Sequence, residues 1–204
     1  MLFNLPAGDW GAGERGIACH PDRVEEFRAG VDQAIEYAKV LGNTQVNCLA
    51  GIQPEGVSDD EARKTLVDNL RFAAEKLEAA GILLIAEPIN TRDIPGFFLN
   101  RTEQALAVFD EVGSGNLKLQ YDIYHMQIME GDLAPTIEKH FARIAHVQLA
   151  DNPGRHEPGT GEINYPFLFG HLDRLGYDAG SAVSTSRPGL RRKGWAGWMA
   201  CAET

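Results

Sequence analysis

The chain has 204 residues, of which 44% are hydrophobic and 24% charged, the balance of an ordinary globular protein with one sizeable core. Its 29 acidic and 19 basic residues give a net charge of −10, which argues against nucleic acid or an anionic membrane surface as a partner. No apolar run is long enough to span a bilayer, and the amino terminus lacks the regions of a signal peptide. The three cysteines form no CxxC pair, so a cytoplasmic location is the simplest expectation.

Apolar runs of strand length alternate with apolar residues at helical spacing along the whole chain. Boundary signals agree with this division, because Ser58 and Glu61 form a capping-box pair and Gly42, Gly81 and Gly113 follow helical segments. The predicted order is a strand at Met1, helix 21–41, strand 44–49, helix 59–80, strand 82–86, helix 102–112, strand 117–121, a short helix over 133–141, strand 144–149 and helix 167–175. This order without a linker predicts a parallel sheet covered by helices, either a doubly wound open sheet or an incomplete barrel.

Three polar residues follow successive apolar strands, namely Glu87, Asp122 and Gln148. Because the carboxyl ends of neighbouring parallel strands meet at one rim, we expect these side chains to converge there. Two carboxylates and an amide oxygen form a set of hard ligands that suits Mg²⁺ or Mn²⁺. The alternative interpretation is that each residue only caps a helix or solvates a loop.

A second group of polar residues follows the same strand ends. His125 comes three residues after Asp122, and Arg155 and His156 lie in a Gly- and Pro-rich loop over 152–161. Such a loop can hold a carboxylate or hydroxyl of a substrate by charge-assisted hydrogen bonds, although a solvated surface loop has the same composition. No phosphate-binding or dinucleotide-binding glycine motif is present, so no nucleotide cofactor is expected.

Five segments in order resemble hydroxypyruvate isomerase, a family of xylose-isomerase-like TIM barrels related to sugar epimerases and endonuclease IV. They are FNLPAGDW at 3–10, AEPIN at 86–90, YDIYHMQ at 121–127, HVQLAD at 146–151 and RHEPGTGEI at 155–163. The resemblance runs from Met1 to about Asp178. It implies a (β/α)8 TIM barrel and the interconversion of hydroxypyruvate and tartronate semialdehyde in glyoxylate metabolism.

The resemblance also implies roles for individual residues. Glu87 resembles the catalytic acid/base and a metal-site carboxylate, and Asp122 and Gln148 resemble further metal ligands. His125 and Arg155 resemble the positions that contact the substrate, a small 2-oxo acid. A divalent ion would stabilise an enediolate while a carboxylate moves the proton. Whether the chain forms a homo-oligomer stays open.

Both ends of the chain depart from the family pattern. The resemblance begins inside what looks like the family's third strand, so the first two βα units are expected to be absent and the barrel incomplete. After Asp178 the tail matches the family's codons read one base late, which predicts a frameshift and the loss of a second catalytic glutamate across the codons of Val183 and Ser184. On this interpretation residues 1–180 form a partial barrel, and residues 181–204 form an out-of-frame tail that packs poorly in place of the eighth strand.

Two other functions stay open. The rim residues would also serve a related isomerase or epimerase, such as a 2-oxo-tetronate isomerase, because the superfamily shares its chemistry. A protein of a different class, a non-catalytic fragment, is the other alternative, since an open barrel exposes sheet edges. An endonuclease is the least favoured, because it needs a basic groove and the net charge is −10.

Overall fold

The computed structural model of the chain describes residues 2–178 and 181–185. Within them, one sheet holds five strands that pair in sequence order, each parallel to the next. The strands are β1 (Gln45–Cys48), β2 (Leu83–Ala86), β3 (Leu117–Asp122), β4 (Ile144–Leu149) and β5 (Ser181–Val183). Each connection crosses over through one or more helices, as parallel pairing requires.

The helices follow the strands in alternation. They are α1 (Val24–Leu41), α2 (Asp59–Ala79), α3 (Thr102–Val112), α4 (Ile123–Met129), α5 (Leu133–His140) and α6 (Tyr165–Leu175). Short 3-10 turns precede α1 (Pro21–Arg23) and follow α5 (Phe141–Arg143). None of the helices in the described ranges has the length and apolar character needed to cross a membrane.

The sheet is strongly curved. A flat sheet would separate β1 from β4 by three spacings of about 4.8 Å each. The side chains of Gln45 on β1 and His146 on β4 nevertheless come together, with Gln45 Nε2 3.4 Å from His146 Nδ1. The contact spans the concave face, so the five strands form an arc whose inner surface is polar.

The apolar faces of the helices cover the convex side of this arc. Leu66, Leu70 and Leu77 of α2 lie on one helical stripe and are fully buried. Leu84 and Leu119 alternate with inward-facing residues on their strands and pack in the same core. The hydrophobic core therefore holds the strands from outside and leaves their carboxyl ends free to carry polar side chains.

Most predicted elements are confirmed. The helix over 102–112 and the strand over 144–149 have the predicted bounds, and Ser58 Oγ accepts a hydrogen bond from Glu61 N at the start of α2. Met1, where a strand is predicted, lies outside the described residues, and the residues from Leu2 onward form no strand but a single parallel bridge between Asn4 and Asn47. Helix α4 was not predicted, since Ile123–Met129 follows β3 without a separating turn.

The prediction for the tail falls mostly on residues outside the described part of the chain, 186–204. The backbone of Ser181–Val183 pairs in parallel with Val147, Gln148 and Leu149 of β4, and Ser184 N donates to Leu149 O. Segment 181–183, which the frameshift interpretation assigns to the poorly packed tail, therefore forms the fifth strand of the described sheet.

Candidate active site

The strand register aligns the polar residues at the carboxyl ends of the sheet. Asp122 at the end of β3 is paired with Gln148 of β4, and Gln120 is paired with His146. Side chains of paired residues on neighbouring strands point to the same face, and residues two apart on one strand share a face. Glu87, one residue after β2, belongs to the same inward-facing row as Ile85, which pairs with β3.

Three chemically active side chains meet at this rim. Glu87, Asp122 and His125 are all buried, and each offers a ligand atom within 4.8 Å of the other two. His125 Nε2 lies 3.8 Å from Glu87 Oε1 and 3.7 Å from Asp122 Oδ2. The structure thus brings together the predicted catalytic carboxylate, a predicted metal ligand and a predicted substrate contact.

Glu87 is held at one oxygen and open at the other. Gln120 Nε2 donates a 2.6 Å hydrogen bond to Glu87 Oε2, whereas Glu87 Oε1 is buried without a hydrogen-bond partner among the described residues. Burial, followed by the negative charge of Asp122, raises the pKa of Glu87 well above its usual value. A fixed carboxylate with a raised pKa and one uncommitted oxygen is suited to accept and return a proton.

Asp122 has two structural roles because it ends a strand and begins a helix. Its Oδ1 accepts hydrogen bonds from Tyr124 N at 2.8 Å and His125 N at 3.4 Å, so it is the N-cap of α4. Its Oδ2 accepts from Ser184 Oγ at 3.1 Å. The cap fixes the carboxylate and, through the first turn of α4, also fixes the position of His125.

The protonation of His125 follows from Asn90. Asp93 N donates a 2.7 Å hydrogen bond to Asn90 Oδ1, which leaves Asn90 Nδ2 to face His125 Nδ1 at 2.6 Å. Because an amide NH₂ is only a donor, His125 Nδ1 must accept, and the neutral ring carries its proton on Nε2. Burial lowers the pKa of His125, so the ring is neutral near pH 7 and its Nε2–H points toward Glu87 and Asp122.

The donor set fits a divalent cation held by carboxylate and amide oxygens. Glu87 Oε1 is a buried acceptor without a hydrogen-bond partner in the described residues, and Asp122 Oδ2 faces it across His125. His125 Nε2 lies close to both carboxylates, but in this tautomer it carries a proton and therefore offers no lone pair to a metal ion. Gln148 is half-buried and paired with Asp122 in the strand register, so its amide lies on the same face of the sheet.

Arg155 reaches the rim from the loop that follows β4. Its backbone is left-handed, with φ 54°, and its Nε donates to Ser184 O at 3.0 Å. Its Nη2 lies 3.3 Å from Ser184 Oγ and 3.8 Å from Asp122 Oδ2. The predicted substrate contact is thus at the site, whereas His156, predicted in the same loop, closes the loop through backbone hydrogen bonds with Asp151.

Several residues of the site were missed by sequence reasoning. Gln120 had a usable signal, because it alternates with Asp122 on one strand and must share its face. Asn90 and Ser184 had none, since their contacts join segments far apart in the chain.

The chain matches the family model described as xylose isomerase-like TIM barrel over residues 2–196. The chain belongs to this family. It is 58% identical to hydroxypyruvate isomerase of Escherichia coli over 177 residues, which cover 87% of this chain and 69% of that protein. It is 46% identical to 2-oxo-tetronate isomerase of Cupriavidus necator over 198 residues, 97% of this chain and 76% of that protein.

A solved structure agrees on the fold. The crystal structure described as AP endonuclease, family 2, from Brucella melitensis superposes with a TM-score of 0.93 and is 42% identical, covering 98% of this chain and 77% of that one. The predicted resemblance and the predicted α/β barrel class are therefore confirmed. Both relatives compared by sequence are named isomerases, and this chain is an enzyme of the isomerase class.

Proposed function

We propose that the chain interconverts hydroxypyruvate and tartronate semialdehyde through an enediolate. The observation that carries the proposal is the uncommitted Glu87 Oε1, which faces the Nε2–H of a neutral His125 at 3.8 Å. A base and a hydrogen-bond donor at one point are what an enolisation needs. The identity of 58% to a hydroxypyruvate isomerase supports the choice of substrate.

The reaction moves one proton between neighbouring carbons. Glu87 removes a proton from C3 of hydroxypyruvate, and the electron pair forms the C2–C3 double bond while negative charge develops on the C2 oxygen. His125 Nε2–H donates a hydrogen bond to that oxygen. Glu87 then returns the proton to C2, and the C3 hydroxyl loses its proton to give the aldehyde while the C2 oxygen gains one.

Other residues of the rim bind and orient the substrate. The guanidinium of Arg155 provides charge-assisted hydrogen bonds for the substrate carboxylate. Glu87, Asp122 and Gln148 would hold a divalent cation, Mg²⁺ or Mn²⁺, which supplies positive charge for the oxygens of the enediolate. Gln120 keeps Glu87 in the orientation that leaves Oε1 toward the substrate.

A second substrate has support of its own. The 46% identity to a 2-oxo-tetronate isomerase, over nearly the whole chain, favours a longer 2-oxo acid with the same reacting carbons. Relative kcat/KM for hydroxypyruvate and 2-oxo-tetronate decides between them, since the proton transfer is common to both.

We also infer a cytoplasmic role in glyoxylate metabolism. Cys19 and Cys48 are buried free thiols, which supports a reducing compartment. Burial raises the pKa of the Cys19 thiol to about 12, so this group stays protonated and unreactive in the folded protein.

The test is turnover of hydroxypyruvate by the purified chain, followed by ¹H NMR with added Mg²⁺ or Mn²⁺. We expect Glu87→Gln to lower kcat by about 10²- to 10⁴-fold. Glu36→Gln is the matched control, because Glu36 is exposed on α1 and, among the described residues, pairs only with Lys39. Unchanged turnover in Glu87→Gln would contradict the proposed role, and absence of turnover in the unaltered chain would contradict the proposed function.

A further inference from the structure

Two arginines approach the ring of Tyr124, the residue that precedes His125 on α4. The guanidinium carbon of Arg155 lies 5.4 Å from the centre of the Tyr124 ring, and that of Arg92 lies 6.0 Å from it. Arg92 belongs to the loop after β2 and Arg155 to the loop after β4, so two separate connections converge on the first turn of α4. We call these three residues the Arg92–Tyr124–Arg155 cluster.

Arg92 is anchored by neutral groups on one side of its guanidinium. Its Nη2 donates to Asn152 Oδ1 at 2.9 Å and to Tyr124 OH at 3.2 Å. Its Nη1 has no hydrogen-bond acceptor in residues 2–178 and 181–185, and half of the Arg92 side chain is exposed. The anchor therefore orients a cation that still has donors to offer.

Asp93 does not occupy those donors. Asp93 Oδ1 lies 3.7 Å from Arg92 Nε, while Asp93 Oδ2 accepts hydrogen bonds from Tyr124 OH at 2.7 Å and Asn90 Nδ2 at 3.2 Å. These bonds tie the cluster to His125, because Asn90 Nδ2 also contacts His125 Nδ1. The arginines and the reacting groups thus belong to one connected network.

Charge explains why such a site would need two cations. Glu87 and Asp122 are buried at the reaction centre, in a chain with net charge −10. An anionic substrate brings a further negative charge to this region, and the repulsion is strong where water is excluded. A planar guanidinium meets a carboxylate with two parallel hydrogen bonds, so either arginine offers a fitted partner for the carboxylate of such a substrate.

We propose that Arg92, together with Arg155, binds the substrate carboxylate and makes the site selective for 2-oxo acids over neutral sugars. The inference rests on the proposed function for its substrate class. It assigns the selectivity to a residue other than Glu87, Asp122 and His125. Tyr124 is the positioning residue, because both guanidiniums lie close to its ring and its hydroxyl accepts a hydrogen bond from Arg92.

The experiment compares an anionic substrate with its neutral counterpart. Hydroxypyruvate and dihydroxyacetone differ by a carboxylate in place of a hydroxymethyl group. In Arg92→Gln we expect KM for hydroxypyruvate to rise about 10- to 100-fold with little change in kcat, and kcat/KM for dihydroxyacetone to change less than about threefold. Arg92→Lys keeps the charge and should recover part of the affinity, and Tyr124→Phe should raise KM about 3- to 10-fold by removing the hydroxyl anchor.

Binding of tartronate, measured by titration calorimetry, provides a readout that does not need turnover. Arg92→Gln should weaken tartronate binding at least tenfold, whereas the control Arg63→Gln, at a partly exposed α2 residue paired with Glu111, should leave it unchanged. Equal tartronate affinity in Arg92→Gln and the unaltered chain overturns the inference even if hydroxypyruvate is converted. Arg92-dependent tartronate binding without conversion of hydroxypyruvate supports the inference and overturns the proposed function.

Discussion

Asn90 determines which nitrogen of His125 carries the proton. Asn90 comes from the loop after β2 and His125 from helix α4 after β3, and Asn90 Nδ2 lies 2.6 Å from His125 Nδ1 in a fully buried contact. The amide cannot rotate to present its oxygen, because Asn90 Oδ1 already accepts from Asp93 N at 2.7 Å. A backbone N–H in one loop thus fixes the tautomer of a histidine on α4, and the Nε2–H is directed at the two carboxylates.

Replacing Asn90 by Asp should reverse this arrangement. A carboxylate at Nδ1 accepts a proton there, favours the charged imidazolium and raises the pKa of His125, against the lowering that burial now causes. We expect kcat to fall by about 10²-fold, with the His125 pKa rise visible in ¹⁵N NMR. Asn164→Asp is the control, since an aspartate can still cap α6 through the hydrogen bond from Phe167 N. An unchanged His125 tautomer in Asn90→Asp would refute the assignment.

Glu87→Gln should make the protein more stable at high pH while it removes activity. The folded-state pKa of Glu87 is raised, so the folded state binds its proton more tightly than the unfolded chain does. The contribution of Glu87 to the free energy of unfolding is fully present below its unfolded-state pKa of about 4.3 and is lost as pH rises through its folded-state pKa. Thermal unfolding from pH 4 to pH 8 should therefore show the variant gaining on the unaltered chain as pH rises. A constant difference across this range would contradict the pKa direction.

Gln120 should tune the pH dependence of catalysis. Its 2.6 Å hydrogen bond to Glu87 Oε2 stabilises the carboxylate and lowers its pKa, so Gln120→Met should raise that pKa further. The acidic limb of the pH profile of kcat/KM should move to higher pH. At pH values above this limb, where Glu87 is ionised, the free energy of unfolding of the variant should be lower by about 1–3 kcal/mol. Gln33→Met on the exposed face of α1 provides the control. If the acidic limb stays in place, Gln120 does not act on Glu87.

Substitution can show whether Gln148 or His125 is the third ligand of a divalent cation, beside the two carboxylates of the site. With Mn²⁺ at about 100 times its Kd, the free energy of unfolding should rise by about 2.7 kcal/mol, and Asp122→Asn should abolish the gain. Gln148→Leu should also abolish it, whereas His125→Gln should retain it, because His125 Nε2 carries a proton. Calorimetry with and without Mn²⁺ measures each case, and loss of the gain in His125→Gln would place the imidazole among the ligands.

The sequence predicts the carboxylates of this site better than their surroundings. Glu87 and Asp122 follow apolar runs of strand length, and parallel pairing brings such strand ends to one rim. For Asp122 the sequence offers helix capping only as the alternative to a metal ligand, and Asp122 does cap α4. Helix α4 itself is not predicted, because the apolar residues of Ile123–Met129 show no break that marks a new helix. The contact of Asn90 with His125 depends on the path of two loops, which no local pattern encodes.

The loop that carries Arg155 depends on one buried carboxylate. Asp151 Oδ1 accepts hydrogen bonds from Asn152 N at 3.0 Å and Ile163 N at 3.1 Å, and its Oδ2 accepts from Gly159 N at 2.8 Å. Asp151→Asn replaces one acceptor by an NH₂ group that faces a backbone donor. We expect the free energy of local opening of this loop to fall by about 1–3 kcal/mol. Amide hydrogen exchange at Gly159 or Ile163 should then be about 10- to 100-fold faster.

The same change should raise KM for hydroxypyruvate more than it lowers kcat, because the loop positions Arg155 while Glu87 and His125 stand on other elements. Asp173→Asn on the exposed face of α6 is the matched control and should alter neither quantity. Faster exchange in the loop with an unchanged KM would show that Arg155 keeps its place without Asp151. A fall in kcat alone would place the effect of the loop on the proton transfer instead of on substrate binding.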